Sequence, residues 1–411
     1  MSNYQRDNCR LCQSKKLEVV LSLEPTPLCD AYVAAKHLND TQEIYPLDLT
    51  LCNDCGYVHL AYVVDPENIY LDYIYVTTSS MGLADHFQLY AEEVLRRLNP
   101  KADSLVIDLG SNDGTLLRVF EKQGMRVLGI EPAHEIAKNA TKSGIETLPE
   151  FFTSKLADEI RDKYGSARII TINNLFANID NLDDIIDGVC RLLSPDGVFI
   201  IESSYLGDMI NNMVFDFIYH EHLSYFSVKP LLKFLNRFNM ELVDVQRVQT
   251  KGGSLRYYIQ MKGGPRTVSS AVDEMVSYEN THRLDCVETY KSFANEINVR
   301  KTNLANTLSR LKEKGKTFAG FGASATSTTL IYHFGLCDKM EYIVDENPAK
   351  HNTYSPGCHI PVIPSDELYE RKPDYVIMLA WRYYEQIKDK HQKYLQQGGY
   401  FILPLPELEV I

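Results

Sequence analysis

Apolar positions along this chain follow two rhythms. Short, nearly unbroken apolar runs alternate with stretches in which apolar residues recur every three or four positions, the pattern of buried strands between helices. Residues 85–98 read as a helix, residues 105–109 as a strand, and Leu116-Leu-Arg-Val-Phe120 as the start of another helix. Val127-Leu-Gly-Ile130 and Arg168-Ile-Ile-Thr-Ile-Asn-Asn174 are the next strands. Residues 182–193 are a helix, Ser194-Pro-Asp-Gly197 a turn, and Val198-Phe-Ile-Ile-Glu202 a strand. The pattern then restarts. Long helices are predicted across 267–314, including 304–314, followed by Lys316-Thr-Phe-Ala-Gly-Phe-Gly-Ala-Ser-Ala325 as strand, glycine turn and helix. Tyr342-Ile-Val-Asp345, Asp374-Tyr-Val-Ile-Met-Leu379 and Tyr400-Phe-Ile-Leu403 are further strands. The fold class is α/β, with two Rossmann-like units that hint at an old duplication.

The composition narrows the choice. With 411 residues, 45% hydrophobic and 24% charged, the chain is long enough for two to four domains with proper cores, which excludes disorder as the main theme. No apolar run approaches the length of about 18 residues needed to cross a membrane. The 42 Lys+Arg against 55 Asp+Glu give a net charge of −13, which disfavours nucleic acid as a partner. The start, Met1-Ser-Asn-Tyr-Gln, lacks a signal-peptide pattern, so a cytoplasmic protein is expected.

Nine cysteines, an odd number, argue against a disulfide framework. Two pairs stand out, Cys9-Arg-Leu-Cys12 and Cys52-Asn-Asp-Cys55, the latter followed by Gly56. Two such turns complete a tetrahedron of thiolates around Zn²⁺ with no open position, which makes the metal structural. A single pair would also fit a redox motif; two in one short stretch point to zinc. Cys29, Cys190, Cys286, Cys337 and Cys358 are scattered and expected to be packing residues.

The run Leu105-Val-Ile-Asp-Leu-Gly-Ser-Asn-Asp-Gly-Thr115 is a strand, a glycine loop and a helix start. Glu131 ends the next strand, 21 positions beyond Gly110, where an acid accepts hydrogen bonds from ribose hydroxyls. NAD is one candidate ligand. Its pyrophosphate wants Gly-x-Gly-x-x-Gly, however, and here Asp108 and Asp113 crowd that place. Carboxylates repel phosphate and suit the ammonium and sulfonium of S-adenosylmethionine (SAM). The residues expected to hold it are Asp108, Gly110, Asn112, Gly114, Glu131, Pro132 and Asn173.

Beyond the fourth strand, Phe215-Asp-Phe-Ile-Tyr-His-Glu-His-Leu-Ser-Tyr-Phe226 gathers Tyr219, His220, Glu221, His222 and Tyr225. An imidazole is the best side-chain proton acceptor near pH 7, and a carboxylate beside it can fix its tautomer. A His-x-His metal site and an aromatic helix packed in the core are the competing readings.

On these residues the chain resembles the sugar C-methyltransferases that act on nucleotide-linked 4-keto-deoxysugars. The likeness runs through the paired Cys-x-x-Cys, Tyr70-x-x-Tyr73-x-Tyr75, the Asp-Leu-Gly-Ser-Asn-Asp-Gly loop and Tyr-His-Glu-His-Leu-Ser-Tyr-Phe. It continues in Lys251-Gly-Gly-Ser-Leu-Arg256 and Pro356-Gly-Cys-His-Ile-Pro361. The resemblance implies a class I SAM-methyltransferase core between a small zinc-binding domain and a C-terminal Rossmann-like domain, at 76–285, 1–75 and 286–411. It implies methylation at sugar C3 through an enolate, with His222 as base and Tyr219 and Glu221 in support. Tyr75, Asn178, Lys251 and Arg256 are the expected substrate-binding residues. The chain departs from the family at Asn178, where a histidine is frequent, and at Ala325-Thr-Ser327, where the family often has a lysine. The C-terminal domain is expected to help hold the nucleotide, the alternative being a degenerate fold that only packs. The enzyme is expected to be a monomer.

Two other functions compete. A zinc-ribbon methyltransferase acting on RNA or another small molecule predicts a basic groove that the charge does not support. A non-catalytic ligand-binding module leaves the Tyr-His-Glu-His cluster superfluous.

Overall fold

The computed structural model describes residues 3–70 and 82–411. At its centre lie β1 (Leu105–Leu109), β2 (Arg126–Ile130), β3 (Thr147–Leu148), β4 (Ala167–Asn173), β5 (Leu193–Ser204), β6 (Met240–Val248) and β7 (Ser254–Met261). They form one sheet in the order β3-β2-β1-β4-β5-β7-β6. β1 to β5 run parallel, and β7 runs antiparallel to both neighbours. The apolar runs are unbroken because both faces are covered. Leu105, Ile107 and Leu109 pack under helices Ser154–Tyr164, Leu182–Leu192 and Val228–Arg237. Val106 packs on the other face, under Leu83–Leu98 and Thr115–Lys122. The strand order reverses between β1 and β4, and the carboxyl ends at such a reversal are where this class of sheet binds ligands.

Three local features differ from the sequence expectation. The turn at 194–197 is a bulge inside β5, whose pairing with β4 jumps from Ala167↔Leu193 to Ile169↔Val198. The aromatic stretch is not a helix: the 3₁₀ turn Phe215–Phe217 gives way to a turn at residues 220–221, closed by the His222 N–H donating to the Tyr219 carbonyl at 2.9 Å, and then to the strand Ser224–Tyr225. Cys337 and Cys358, expected to be packing residues, are joined as a disulfide 21 positions apart. Linear spacing hides this pairing, because the fold brings the end of helix Ala325–Phe334 against the turn before Pro361–Pro364.

The N-terminal lobe is a sheet of Leu17–Thr26, Tyr45–Cys52 and Val58–Leu60, to which the central domain lends Ser224–Tyr225 as a fourth strand. The borrowed strand pairs Ser224 with His59 and Tyr225 with Val58. The His-bearing segment is therefore built into the zinc lobe's sheet.

Helices Ser270–Thr281 and Val287–Glu313 lead to the C-terminal sheet. It contains β8 (Phe318–Phe321), β9 (Ile343–Asp345), β10 (Thr353–Tyr354), β11 (Pro361–Pro364), β12 (Tyr375–Met378), β13 (Tyr400–Leu403) and β14 (Glu409–Val410). The order is β14-β13-β12-β8-β9-β11-β10, with Val33–Ala34 from the N-terminal lobe added at the edge beside β10. One apolar cluster runs from Leu21 and Leu49 through Phe215 and Ile218 to Leu330 and Val376, so the two ends of the chain share a core around the 215–218 segment. Among the described residues, no helix is long and apolar enough to cross a membrane.

Candidate active site

The four paired cysteines converge. Cys9 and Cys55 sulfurs are 3.6 Å apart, Cys12 and Cys52 sulfurs 3.5 Å apart, and all four lie within 4.8 Å of one another. A tetrahedron with Zn–S bonds of about 2.3 Å has S···S edges of about 3.8 Å, so the donors fit zinc. Backbone N–H groups of Leu11 and Cys12 point at the Cys9 sulfur, which favours its thiolate. Gly56 closes the second turn with φ +81°. Four sulfurs fill the tetrahedron, so the metal's task is structural.

At the carboxyl end of β1, Gly110 and Gly114 hold φ of +74° and +76°, and Asn112 a φ of +49°. A Cβ on Gly110 would lie 2.5 Å from Leu175 Cδ2, so side chains are excluded twice over, by conformation and by space. The Glu131 carboxylate accepts the N–H of Asn112 at 3.1 Å and of Ala133 at 2.9 Å, and so shapes the loop from inside. Half-buried Pro132 sits between these anchors. Burial raises the Glu131 pKa against those bonds. Asp108 accepts from Thr171 Oγ1 at 2.6 Å and Asn173 Nδ2 at 3.3 Å, yet burial, and then Glu131, push it up to about 7. Asn173 Oδ1 is buried with no partner. Two carboxylates held against their own charge, beside an orphaned acceptor, form a cradle for a cation and reject a phosphate. This fits the ammonium-bearing end of SAM.

The His222 ring is held at both nitrogens. Nδ1 lies 2.9 Å from the Phe217 carbonyl, which must be accepting its proton, so Nε2 carries the lone pair. Nε2 lies 3.0 Å from the Tyr219 hydroxyl, and the two rings are 4.1 Å apart. The Phe217 carbonyl, not the neighbouring carboxylate, fixes the tautomer. Burial, and to a lesser degree Lys251, brings His222 down to about 4, so the ring is neutral at pH 7. His220 turns the opposite way, with Nε2 3.3 Å from the Tyr45 carbonyl, so the two imidazoles do not share a metal.

Glu221 faces the N-terminal lobe, where Cys29 Sγ donates to it at 3.3 Å. Burial and Asp30 push Glu221 up to about 7. Lys251 sits at φ +53° in the turn before β7, and burial lowers it to about 8 against the pull of Glu221 and Glu202. Because β7 is antiparallel, this turn lies at the carboxyl edge of β5, on the ligand side.

Arg256, expected to bind substrate, is engaged with two acids and a tyrosine ring. Its Nε donates to Glu202 at 2.8 Å, Nη1 to Glu93 at 3.4 Å, and its guanidinium stacks 3.9 Å from the Tyr90 ring. β7 places it directly opposite Glu202, whose second oxygen takes His86 at 2.5 Å. Asn178 closes the 3₁₀ turn after β4, its Oδ1 buried and unpartnered. Tyr75 lies outside the described residues. Sequence reasoning missed Arg382, which pairs with fully buried Asp216 at 2.8 Å, donates to Thr326 Oγ1 at 3.2 Å and covers the Phe217 ring at 4.4 Å. It also missed Lys350, which donates to Asp30 at 2.9 Å and to the Ala323 carbonyl at 2.6 Å. These contacts join residues far apart in sequence, and no local motif announces them.

A Rossmann-like sheet whose glycine loop is lined by carboxylates defines a SAM-dependent methyltransferase. The comparisons with known proteins agree. Family profiles match a zinc binding domain at residues 9–70, a methyltransferase domain at 83–245 and a C-methyltransferase C-terminal domain at 249–406. The chain is 31% identical over 406 residues to the C-methyltransferase NovU of Streptomyces niveus, covering 98% of this chain and 97% of that protein. The chain belongs to this family of SAM-dependent, zinc-binding C-methyltransferases. Among solved structures, the PH0226 protein of Pyrococcus horikoshii OT3 aligns with 48% of this chain and 97% of its own at 13% identity, TM-score 0.36. Magnesium protoporphyrin IX methyltransferase of Synechocystis PCC 6803, with bound S-adenosylhomocysteine, aligns with 47% of this chain and 90% of its own at 14% identity, TM-score 0.34.

Proposed function

We propose that the protein methylates C3 of a nucleotide-linked 4-keto-deoxysugar, with His222 as the base that removes the C3 proton. The observation that carries this reading is the unprotonated Nε2 of His222, held in the accepting tautomer by Phe217 and hydrogen-bonded to the Tyr219 hydroxyl. When the ketosugar enters, its C3 proton takes the place of the Tyr219 hydroxyl at Nε2. The displaced hydroxyl turns to the C4 carbonyl oxygen and donates a hydrogen bond to it as negative charge develops there. The C3–H electron pair moves into the enolate, and the proton stays on Nε2. Bound SAM supplies an electrophilic methyl group on sulfur. Asp108, Asn173 and the loop shaped by Glu131 fix its position, and holding both reactants in contact is worth ~7–11 kcal/mol.

Lys251 balances the acids around it, and Glu221 lies against buried Cys29. Arg382 at Thr326 and Lys350 at Ala323 bring two cations to the start of helix Ala325–Phe334, the arrangement that suits a diphosphate. Three parts divide this labour: a zinc-binding part (1–75), a methyltransferase part (76–285) and a C-terminal part (286–411) that helps hold the nucleotide. The enzyme is proposed to act as a monomer. Incubation with SAM and a panel of nucleotide-linked ketosugars, read by mass spectrometry, tests the assignment. A gain of one methyl at C3 of a 4-keto acceptor is expected; methylation at oxygen or nitrogen, or of non-sugar acceptors only, counts against it.

A further inference from the structure

Arg10 lies between two of the zinc-cluster cysteines, Cys9 and Cys12, yet its side chain leaves the metal and crosses the core to the catalytic segment. It is 1% exposed. Nη1 donates to the Leu60 carbonyl at 2.7 Å and the Leu223 carbonyl at 3.2 Å, and sits 2.8 Å from Nδ1 of His59. Nε donates to Asp180 Oδ1 at 2.9 Å, an oxygen shared with Arg6 at 2.7 Å. Leu223 follows His222, and Asp180 stands two residues after Asn178. The backbone repeats the link: the Leu60 N–H donates to the Leu223 carbonyl at 3.0 Å, beside the Ser224↔His59 pair. A planar fork reaches these acceptors at once, which an ammonium on a flexible stem does not.

We propose that Arg10 is a positioning residue for methyl transfer. It ties the zinc knuckle to the two segments bearing His222 and Asn178, so that metal in the N-terminal lobe sets the pose of the catalytic imidazole. Neither segment touches the metal itself; the guanidinium carries the constraint. The catalytic half of this statement rests on His222 being the base.

Hydrogen exchange on the full-length chain tests it, comparing wild type with Arg10→Lys and Arg10→Gln. Zinc content and SAM affinity should stay within about twofold of wild type, because neither ligand touches the guanidinium. Protection over residues 219–226 should fall at least about tenfold, and kcat about a hundredfold with little change in KM for the ketosugar. Unchanged protection with reduced kcat overturns the tie alone. Lost protection with unchanged kcat overturns the positioning role alone, whereas a wild-type rate in His222→Asn overturns the base assignment. Should both variants fail to fold, the wild-type chain decides. Stripping zinc with a chelator should deprotect 58–60 and 223–225 together while SAM still binds, and continued protection of 223–225 after metal loss refutes the proposal.

Discussion

Asp108→Asn separates stability from ligand binding. The carboxyl of Asp108 is buried and titrates at about 7 in the ligand-free protein. An unfolded aspartate titrates near ~3.9, so keeping this charge in the fold costs roughly 4 kcal/mol once both states are ionised. The sign follows from proton counting. Between about pH 4 and pH 7 the folded state holds the extra proton, so stability falls as pH rises through that window. The cost is complete above 7 and absent below ~4. The amide of asparagine keeps an acceptor for Thr171 without the charge. The variant should therefore be more stable than wild type at pH 8, by up to about 4 kcal/mol, and no more stable near pH 4. SAM should bind it about 10–100-fold more weakly at pH 8, the worth of a charged hydrogen bond to the ammonium. Urea unfolding at the two pH values and titration calorimetry with SAM measure both arms. A variant less stable at pH 8, or one that binds SAM as tightly as wild type, refutes the reading of this cradle as a cation site.

Other outcomes follow from the same geometry. Below about pH 8, Lys251 is protonated and holds His222 down, so on that side kcat/KM should fall only as pH drops through about 4. Above about 8 the loss of its charge leaves Glu221 and Glu202 unbalanced, so kcat/KM should fall there as well. Lys251→Met should move the acid limb upward and abolish the alkaline one; an unchanged profile contradicts the role of Lys251. Tyr219→Phe removes the hydroxyl at Nε2 and should lower kcat ~10²-fold with KM nearly constant, read from steady-state rates. Gly253 has φ +122°, and a Cβ there would lie 2.7 Å from Asp208 Oδ2, so Gly253→Ala should cost about 2–5 kcal/mol in urea unfolding.

Much of this organisation is legible in the sequence, and the part that is not has a common cause. Apolar runs such as Leu105-Val-Ile betray parallel strands because burial on both faces demands them. The paired Cys-x-x-Cys and the Gly-Ser-Asn-Asp-Gly loop are local, so their geometry travels with their spacing. Side-chain commitments between distant segments do not. Arg256 has the look of a ligand-binding arginine in its motif, but the antiparallel run of β7 sets it against Glu202. Glu221 neighbours His222 in sequence, yet the chain turns between them, so the carboxylate meets Cys29 and a carbonyl meets the imidazole. Glu131, the acid expected at ribose hydroxyls, also holds two backbone N–H groups, one on each oxygen. Asp345 does the same in the C-terminal unit, receiving the N–H of Ala323 at 2.5 Å and of Asn347 at 2.7 Å. An acid at the end of the second strand thus organises its own glycine loop in both halves.

The central claim is that the imidazole of His222 takes a proton from carbon. Incubating the protein with the nucleotide-linked 4-ketosugar in D₂O, with S-adenosylhomocysteine in place of the methyl donor, isolates that step. The wild-type chain should exchange the C3 hydrogen for deuterium, seen by proton NMR, and His222→Asn should slow the exchange ~10²–10⁴-fold while binding the sugar equally well. Exchange at the wild-type rate in His222→Asn would contradict the account.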